Sequence, residues 1–345
     1  MRVLVVKLTS MGDVLHLMPA LSDLVKAKPD VVIDWMVEDS FAEIPAWHTS
    51  VDRVIRVSTR RWRSLTWTNI QQFWSFVNEL RSETYDVVVD AQGLMKSAGF
   101  ARFAKLKNGG MRAGFSGSSI KESPAAMLYH KKVDVAREQH AIERLRQLFV
   151  GVFDYAALTA KPNYNLSLPK PKVNQVDTVM LFHGTTWATK HLPDTLWGEI
   201  ADLACDDGYT VLLAWGNQVE RQRAEWIALN RPDVTVLERT TLTNLAQTIS
   251  GISGAIAVDT GLGHMAAALG IPCVSVYGST DATLTGAVGQ HQTLIQSSYS
   301  CSPCLQKQCS KLSSTVPEPP CYKVTKANSK LSAASIWQTL YRQIA

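Results

Sequence analysis

Short apolar runs rich in β-branched residues alternate with segments of helical spacing along most of the chain. The runs are RVLVVKL (2–8), VVIDWMV (31–37), YDVVVDA (85–91), DTVMLFH (177–183), YTVLLAW (209–215), VTVLE (234–238), GAIAVD (254–259) and PCVSVYG (272–278). Nearly continuous apolar strands, most of them followed by a helix, are the pattern of parallel sheets covered on both faces. Between residues 158 and 175 the pattern stops. There LTAKPNYNLSLPKPKVNQ holds three prolines and reads as a linker, so the pattern predicts two α/β domains divided near residues 160–175. Two Rossmann-like domains facing a cleft would turn the carboxyl ends of both sheets, where open α/β sheets bind ligands, toward it. A final segment, 329–344, places Leu331, Ala334, Ile336, Leu340 and Ile344 at mostly helical spacing.

With 345 residues and 46% hydrophobic content the chain can bury a large core. No run of about eighteen apolar residues occurs and the short N-terminal apolar run carries Lys7, so neither a spanning helix nor a signal peptide is expected and the default compartment is the cytoplasm. Charge changes the picture more. Residues 1–165 hold 22 Lys+Arg against 17 Asp+Glu, whereas residues 166–345 hold 13 of each. The excess is densest at Arg53, Arg56, Arg60, Arg61 and Arg63, and guanidinium forks suit phosphate and carboxylate.

Three turns carry candidate chemistry. In KLTSMGDVLH (7–16) a buried-type strand runs into Ser10-Met11-Gly12-Asp13. In HGTTWATKHLP (183–193) a strand ends at His183, and Gly184, Thr185, Thr186 and Lys190 precede a helix, with Lys190 supplying a compact charge for a diphosphate. In VDTGLGHMAAALG (258–270) Asp259-Thr260-Gly261 turns into a helix holding His264 near its first turn. Such a start is an anion site, because its backbone N–H groups are free.

KLTSMGDVLHLMPAL, RVSTRRWRS, VVVDAQGLMKSA, HGTTWATKHLP and VDTGLGHMAAALG resemble, in that order, the signatures of the type I lipopolysaccharide heptosyltransferases of glycosyltransferase family 9, over about residues 1–280. The resemblance implies the GT-B fold: an acceptor-binding domain over 1–165, an ADP-heptose-binding domain over 166–327, and a helix over 328–345 packing back on the N-terminal domain. It implies inverting transfer of L-glycero-D-manno-heptose from ADP-heptose to the Kdo of Kdo-lipid A, at the cytoplasmic face of the inner membrane, with peripheral contact to anionic lipid. Asp13 would be the base; Lys190, Thr185, Thr186, Asp259, Thr260, Gly261 and His264 would meet the donor phosphates, and Glu220 the donor ribose. Arg60, Arg61, Arg63 and Lys121 would meet the acceptor. No obligatory cofactor, no metal and no nucleic acid is implied. Trp62 and Trp67, in the arginine segment, read as core aromatics.

Two features depart from the type I pattern. Leu192 stands where an aromatic residue often follows the Lys-His pair. The tail CSPCLQKQC (301–309), followed by Cys321, looks more like a type II enzyme that adds a later core heptose; its spacing suits no standard zinc finger. A nicotinamide oxidoreductase would need three glycines where TSMGD offers one. A basic, non-catalytic lipid or nucleic-acid binder would leave Asp13, Lys190 and the DTG turn unexplained.

Overall fold

In the computed structural model the described residues are 1–64, 66–156, 160–168, 171, 175–313 and 318–345. The chain forms two compact units, Met1–Ser167 and Leu168–Ala345. The first contains β1 (Arg2–Val6), α1 (Met11–Ala27), β2 (Val32–Glu38), β3 (Val51–Val57), α2 (Trp67–Leu80), β4 (Tyr85–Asp90), α3 (Met95–Phe103), β5 (Leu106–Phe115), β6 (Lys131–Val133) and α4 (Ala141–Phe153). Its sheet is parallel with order β3-β2-β1-β4-β5-β6. Val3 lies beside Ile33 on one side and Val87 on the other, so the apolar runs that sit centrally are covered by neighbours and helices on every side.

The second unit contains β7 (Gln175–Phe182), α5 (Asp194–Asp206), β8 (Thr210–Leu213), α6 (Gln218–Ala228), β9 (Val234–Val236), α7 (Leu242–Ile249), β10 (Ile252–Val258), α8 (Gly261–Ala268), β11 (Cys273–Tyr277), α9 (Ala282–Thr285), β12 (Gln292–Gln296) and α10 (Ala333–Ile344). Its parallel sheet has order β12-β11-β10-β7-β8-β9. In each unit the chain builds three strands outward to one side, then returns to the middle and builds three to the other. The switch points therefore fall between β1 and β4 and between β7 and β10, and the crevice at the carboxyl ends of such a strand pair is where a doubly wound sheet takes its ligand.

Ile336, Trp337 and Leu340 of the last helix, α10, are buried in the core of the C-terminal unit, against α5, β10 and β11. Trp337 Nε1–H donates to Asp207 Oδ2 (2.6 Å), which fixes the rotation of the helix. Each of these buried side chains contributes roughly 1.5–3 kcal/mol, so α10 is a structural part of this unit. Among the described residues no helix is long and apolar enough to cross a membrane.

Candidate functional site

The N-terminal unit carries one group of candidates at the β1/β4 switch point. Gln92, just after β4, accepts at Oε1 from the Leu8 N–H (2.9 Å) and the Thr9 N–H (3.1 Å), tying the two strand exits together. Lys7 is buried, donates from Nζ to the Ala91 carbonyl (3.2 Å) and stands 3.6 Å from Asp13 Oδ1. Asp13 sits in the first turn of α1 and accepts at Oδ2 from the Ser10 N–H (2.9 Å) and hydroxyl (3.1 Å). It is both a helix cap and a half-exposed carboxylate aimed away from the apolar core. Lys7 holds one of its oxygens and Ser10 the other, so its orientation is fixed from two sides. Sequence reasoning assigned no site role to Lys7 or Gln92, although a lysine within the apolar run of residues 3–8 was a usable signal.

The arginine segment forms a second group. After β3 the chain turns through Thr59 and Arg60 into a 3₁₀ turn, Arg61–Arg63. Trp62 anchors that turn by packing among Phe73, Phe76 and Phe100, at centroid distances of 5.4, 5.1 and 6.1 Å. Asn69 of α2 donates from Nδ2 to the carbonyls of Arg61 (2.9 Å) and Ser64 (2.8 Å). With the indole held inward, Arg60 and Arg61 are exposed, as is Lys121 in a separate loop; the side chain of Arg63 lies outside the described residues. The expectation for Trp67 is corrected: it is 74% exposed, because it opens α2 on the face opposite Phe76, Val77 and Leu80. A cavity of about 380 Å³ lies beside the turn, lined by Trp62, Ile70, Phe73 and Phe100 with Thr59, Asn69 and Lys96 among its polar groups.

In the C-terminal unit the loops leaving β7 and β10 meet at the other switch point. Lys190 Nζ lies 2.6 Å from Asp259 Oδ2, and the Thr280 hydroxyl donates to that same oxygen (2.7 Å). His264 Nε2 is 3.8 Å from Asp259 Oδ1. Burial alone would raise the Asp259 carboxyl, but the His264 hydrogen bond and the Lys190 ammonium outweigh it and hold the group well below the usual carboxylate range. Thr185 Oγ1–H donates to the Asp259 carbonyl (3.1 Å), stitching the two loops together, whereas Thr186 is exposed. Thr260 is the N-cap residue of α8 and makes no side-chain cap hydrogen bond, and Gly261 opens the helix. The first N–H groups of α8 accordingly face out of the helix beside the Lys190–Asp259 pair.

Glu220 joins this group from α6. Its Oε2 accepts from the Gly216 N–H (2.7 Å), and a Cβ on Gly184 would stand 2.7 Å from its Cδ, so a larger residue there would displace the carboxylate from its present place against the loop after β7. His183, Arg223 and His191 form a layer beneath. Arg223 pairs with Asp194 (2.7 Å) and reaches His191 Nδ1 (2.6 Å), and burial followed by the nearby Arg223 charge pushes His183 down to about 4. Leu192 is buried in the core. Among the described residues no group of three or more His, Cys, Asp and Glu side chains could hold a metal ion.

Two doubly wound parallel units, the second bearing a lysine, a glycine turn and a helix start at its switch point, form an α/β protein with an anion-binding position at the carboxyl ends of one sheet. The chain belongs to glycosyltransferase family 9, the heptosyltransferases, whose family model matches residues 73–314. It is 42% identical over 315 residues to lipopolysaccharide heptosyltransferase 1 of Pseudomonas aeruginosa, covering 90% of this chain and 87% of that one. It is 39% identical over 298 residues to the Escherichia coli K12 enzyme of the same name, with 85% and 92% covered. Among solved structures it is similar to E. coli heptosyltransferase WaaC with ADP-2-deoxy-2-fluoro heptose, at TM-score 0.81 and 33% identity over 99% of both chains. The chain is therefore a glycosyltransferase.

Proposed function

We propose that this enzyme transfers L-glycero-D-manno-heptose from ADP-heptose to the Kdo sugar of Kdo-lipid A, with inversion at the anomeric carbon. The observation that carries the reading is the Lys190–Asp259 pair at the β7/β10 switch point, with Thr260 and Gly261 opening α8 beside it. A leaving nucleoside diphosphate gains charge as the glycosidic bond breaks, and a preorganised ammonium and helix start stabilise that charge most in the transition state. Lys190, Thr185, Thr186, Asp259, Thr260, Gly261 and His264 form this donor site, and Glu220 reads the ribose hydroxyls. That a relative of this fold has been solved with an ADP-heptose analogue supports the donor assignment.

Asp13 is the general base. Inversion requires a group on the face opposite the departing diphosphate to take the proton of the attacking Kdo hydroxyl, and one carboxylate suffices. The Lys7 contact and the Ser10 hydrogen bonds hold Asp13 for that task. Arg60, Arg61, Arg63 and Lys121 bind the anionic acceptor, and the enzyme works at the cytoplasmic face of the inner membrane in peripheral contact with anionic lipid. Trp67 and Trp74, exposed on α2 near the arginine turn, favour that contact. The deciding experiment incubates the enzyme with ADP-heptose and Kdo-lipid A and weighs the acceptor. The expected result is an increase of one heptose. An increase seen only on an acceptor already bearing heptose would give the enzyme the later core step instead.

A further inference from the structure

The donor and acceptor assignments leave the segment CSPCLQKQC unused, and the structure brings its middle to the donor loop. The Thr189 hydroxyl, next to Lys190, donates to the Gln306 carbonyl (2.7 Å), and the Leu305 N–H donates to the Ser279 carbonyl (2.7 Å). Ser279 precedes Thr280, which bonds Asp259. Immediately after these anchors Lys307 extends its ammonium to within 5.4 Å of the centre of the Trp187 ring, the ring that also carries the Lys190 ammonium at 4.5 Å.

We propose that Lys307 is a second cation of the donor site and binds the diphosphate of the nucleotide-sugar together with Lys190; the inference rests on the ADP-heptose reading above. Charge balance is the argument. Lys190 is paired with the ionised Asp259 at 2.6 Å, so this buried pair is close to neutral as a unit. A diphosphate approaching it meets the ammonium but also the carboxylate behind it. Lys307 makes no ion pair with a carboxylate among the described residues, and its side chain is exposed. Two ammonium groups over one indole repel each other, while the ring's negative face attracts both. An anion bound beside Trp187 removes the repulsion and keeps the attraction. Lysine suits this position because it acts on phosphate as a compact point charge and needs no planar alignment.

The test is calorimetric titration of the full-length enzyme with ADP over a range of salt concentrations, for wild type, Lys307→Gln and Lys307→Arg. Because Lys307 is exposed and anchored only through backbone neighbours, the variants should fold. The Kd for ADP should rise about tenfold in Lys307→Gln and by less than about threefold in Lys307→Arg, as expected for loss or retention of one charged contact. The salt dependence of the Kd should be shallower in Lys307→Gln than in wild type, because one screened charge is gone. A weakened Kd with an unchanged salt dependence would mean that the side chain merely packs on Trp187, and would overturn the proposal. Wild-type affinity and salt dependence in Lys307→Gln would overturn it too, leaving the donor reading intact. Failure of the wild-type enzyme to bind ADP would overturn both.

Discussion

Asp13 does two jobs with one carboxylate. Oδ2 caps the first turn of α1 through Ser10, and Oδ1 faces Lys7. Removing the side chain would cost a cap worth about 1 kcal/mol as well as the proposed base, so the informative change is Asp13→Asn, which keeps an acceptor for the Ser10 N–H. Turnover should fall by about a hundredfold or more with little change in ADP affinity or melting temperature; near-normal turnover would remove the base assignment. His183 and His48 allow a stability prediction. Burial lowers both from 6.5 to about 4, His183 with help from the Arg223 charge. Below pH 6.5 the unfolded chain takes up protons that the folded chain resists, so stability falls as pH drops from about 6.5 to about 4, by up to about 1.4 kcal/mol per pH unit for each group. Urea unfolding at pH 6.5, 5.5 and 4.5 should show that decline, and His183→Gln should flatten it; an identical decline in the variant would clear His183 of the effect. Several candidate residues, Asp13, Thr260 and Gly261 among them, stand out in the sequence because they lie where a strand gives way to a helix, a local pattern. Their partners were not. That Lys190 meets Asp259, or Lys7 meets Asp13 and Ala91, depends on which strands are neighbours, and no single-chain periodicity carries strand order.

At the scale of elements, legibility followed position in the sheet for all strands but the edge strand β9, whose VTV run is apolar enough to read from sequence. The central strands β1, β2, β4, β7, β8, β10 and β11 are apolar runs because helices cover both their faces. The strands passed over, β3, β5, β6 and β12, lie at or near the sheet edges. There VDRVIRV reads as an arginine cluster, and in β5 the polar KNGG interrupts any apolar run. The last helix was legible as a helix, but its burial against α5, β10 and β11 was not, since a stripe of Ile336 and Leu340 fits any apolar partner. Helix α2 goes furthest against expectation. Its fourteen residues include one charged side chain, Glu79, and while Phe76, Val77 and Leu80 face the core, Trp67 and Trp74 stand 74% and 56% exposed on the other side. An exposed aromatic face beside arginines suits the headgroup region of an anionic bilayer. Co-sedimentation with vesicles containing anionic phospholipid should therefore weaken several-fold in a Trp67→Ser, Trp74→Ser double variant, whose fold should be intact because both indoles are solvated. Equal binding by wild type and variant would show that α2 takes no part.

For the whole molecule, the two units share one topology but differ in charge. The +5 of residues 1–165 belongs to the unit with Arg60, Arg61, Arg63 and Lys121, whereas residues 166–345 carry equal numbers of each sign around the Lys190–Asp259 pair. Common topology explains why both units place polar turns at a switch point. Charge explains how they can bind different partners. A Kdo-lipid A acceptor carries a carboxylate and phosphates and is presented at an anionic surface, where each nearby basic side chain gains roughly 1 kcal/mol. A single diphosphate needs only the local cations of its own site. Replacing Arg60, Arg61 and Arg63 together by glutamine should therefore raise the KM for Kdo-lipid A severalfold or more while leaving the KM for ADP-heptose nearly unchanged. Trp62 would still anchor the turn, so the loss would be one of charge. The wild-type acceptor KM should rise with added salt as screening grows, and the triple variant should respond less. Loss of donor affinity in the triple variant, or an acceptor KM indifferent to salt, would show that the basic unit is not the acceptor side.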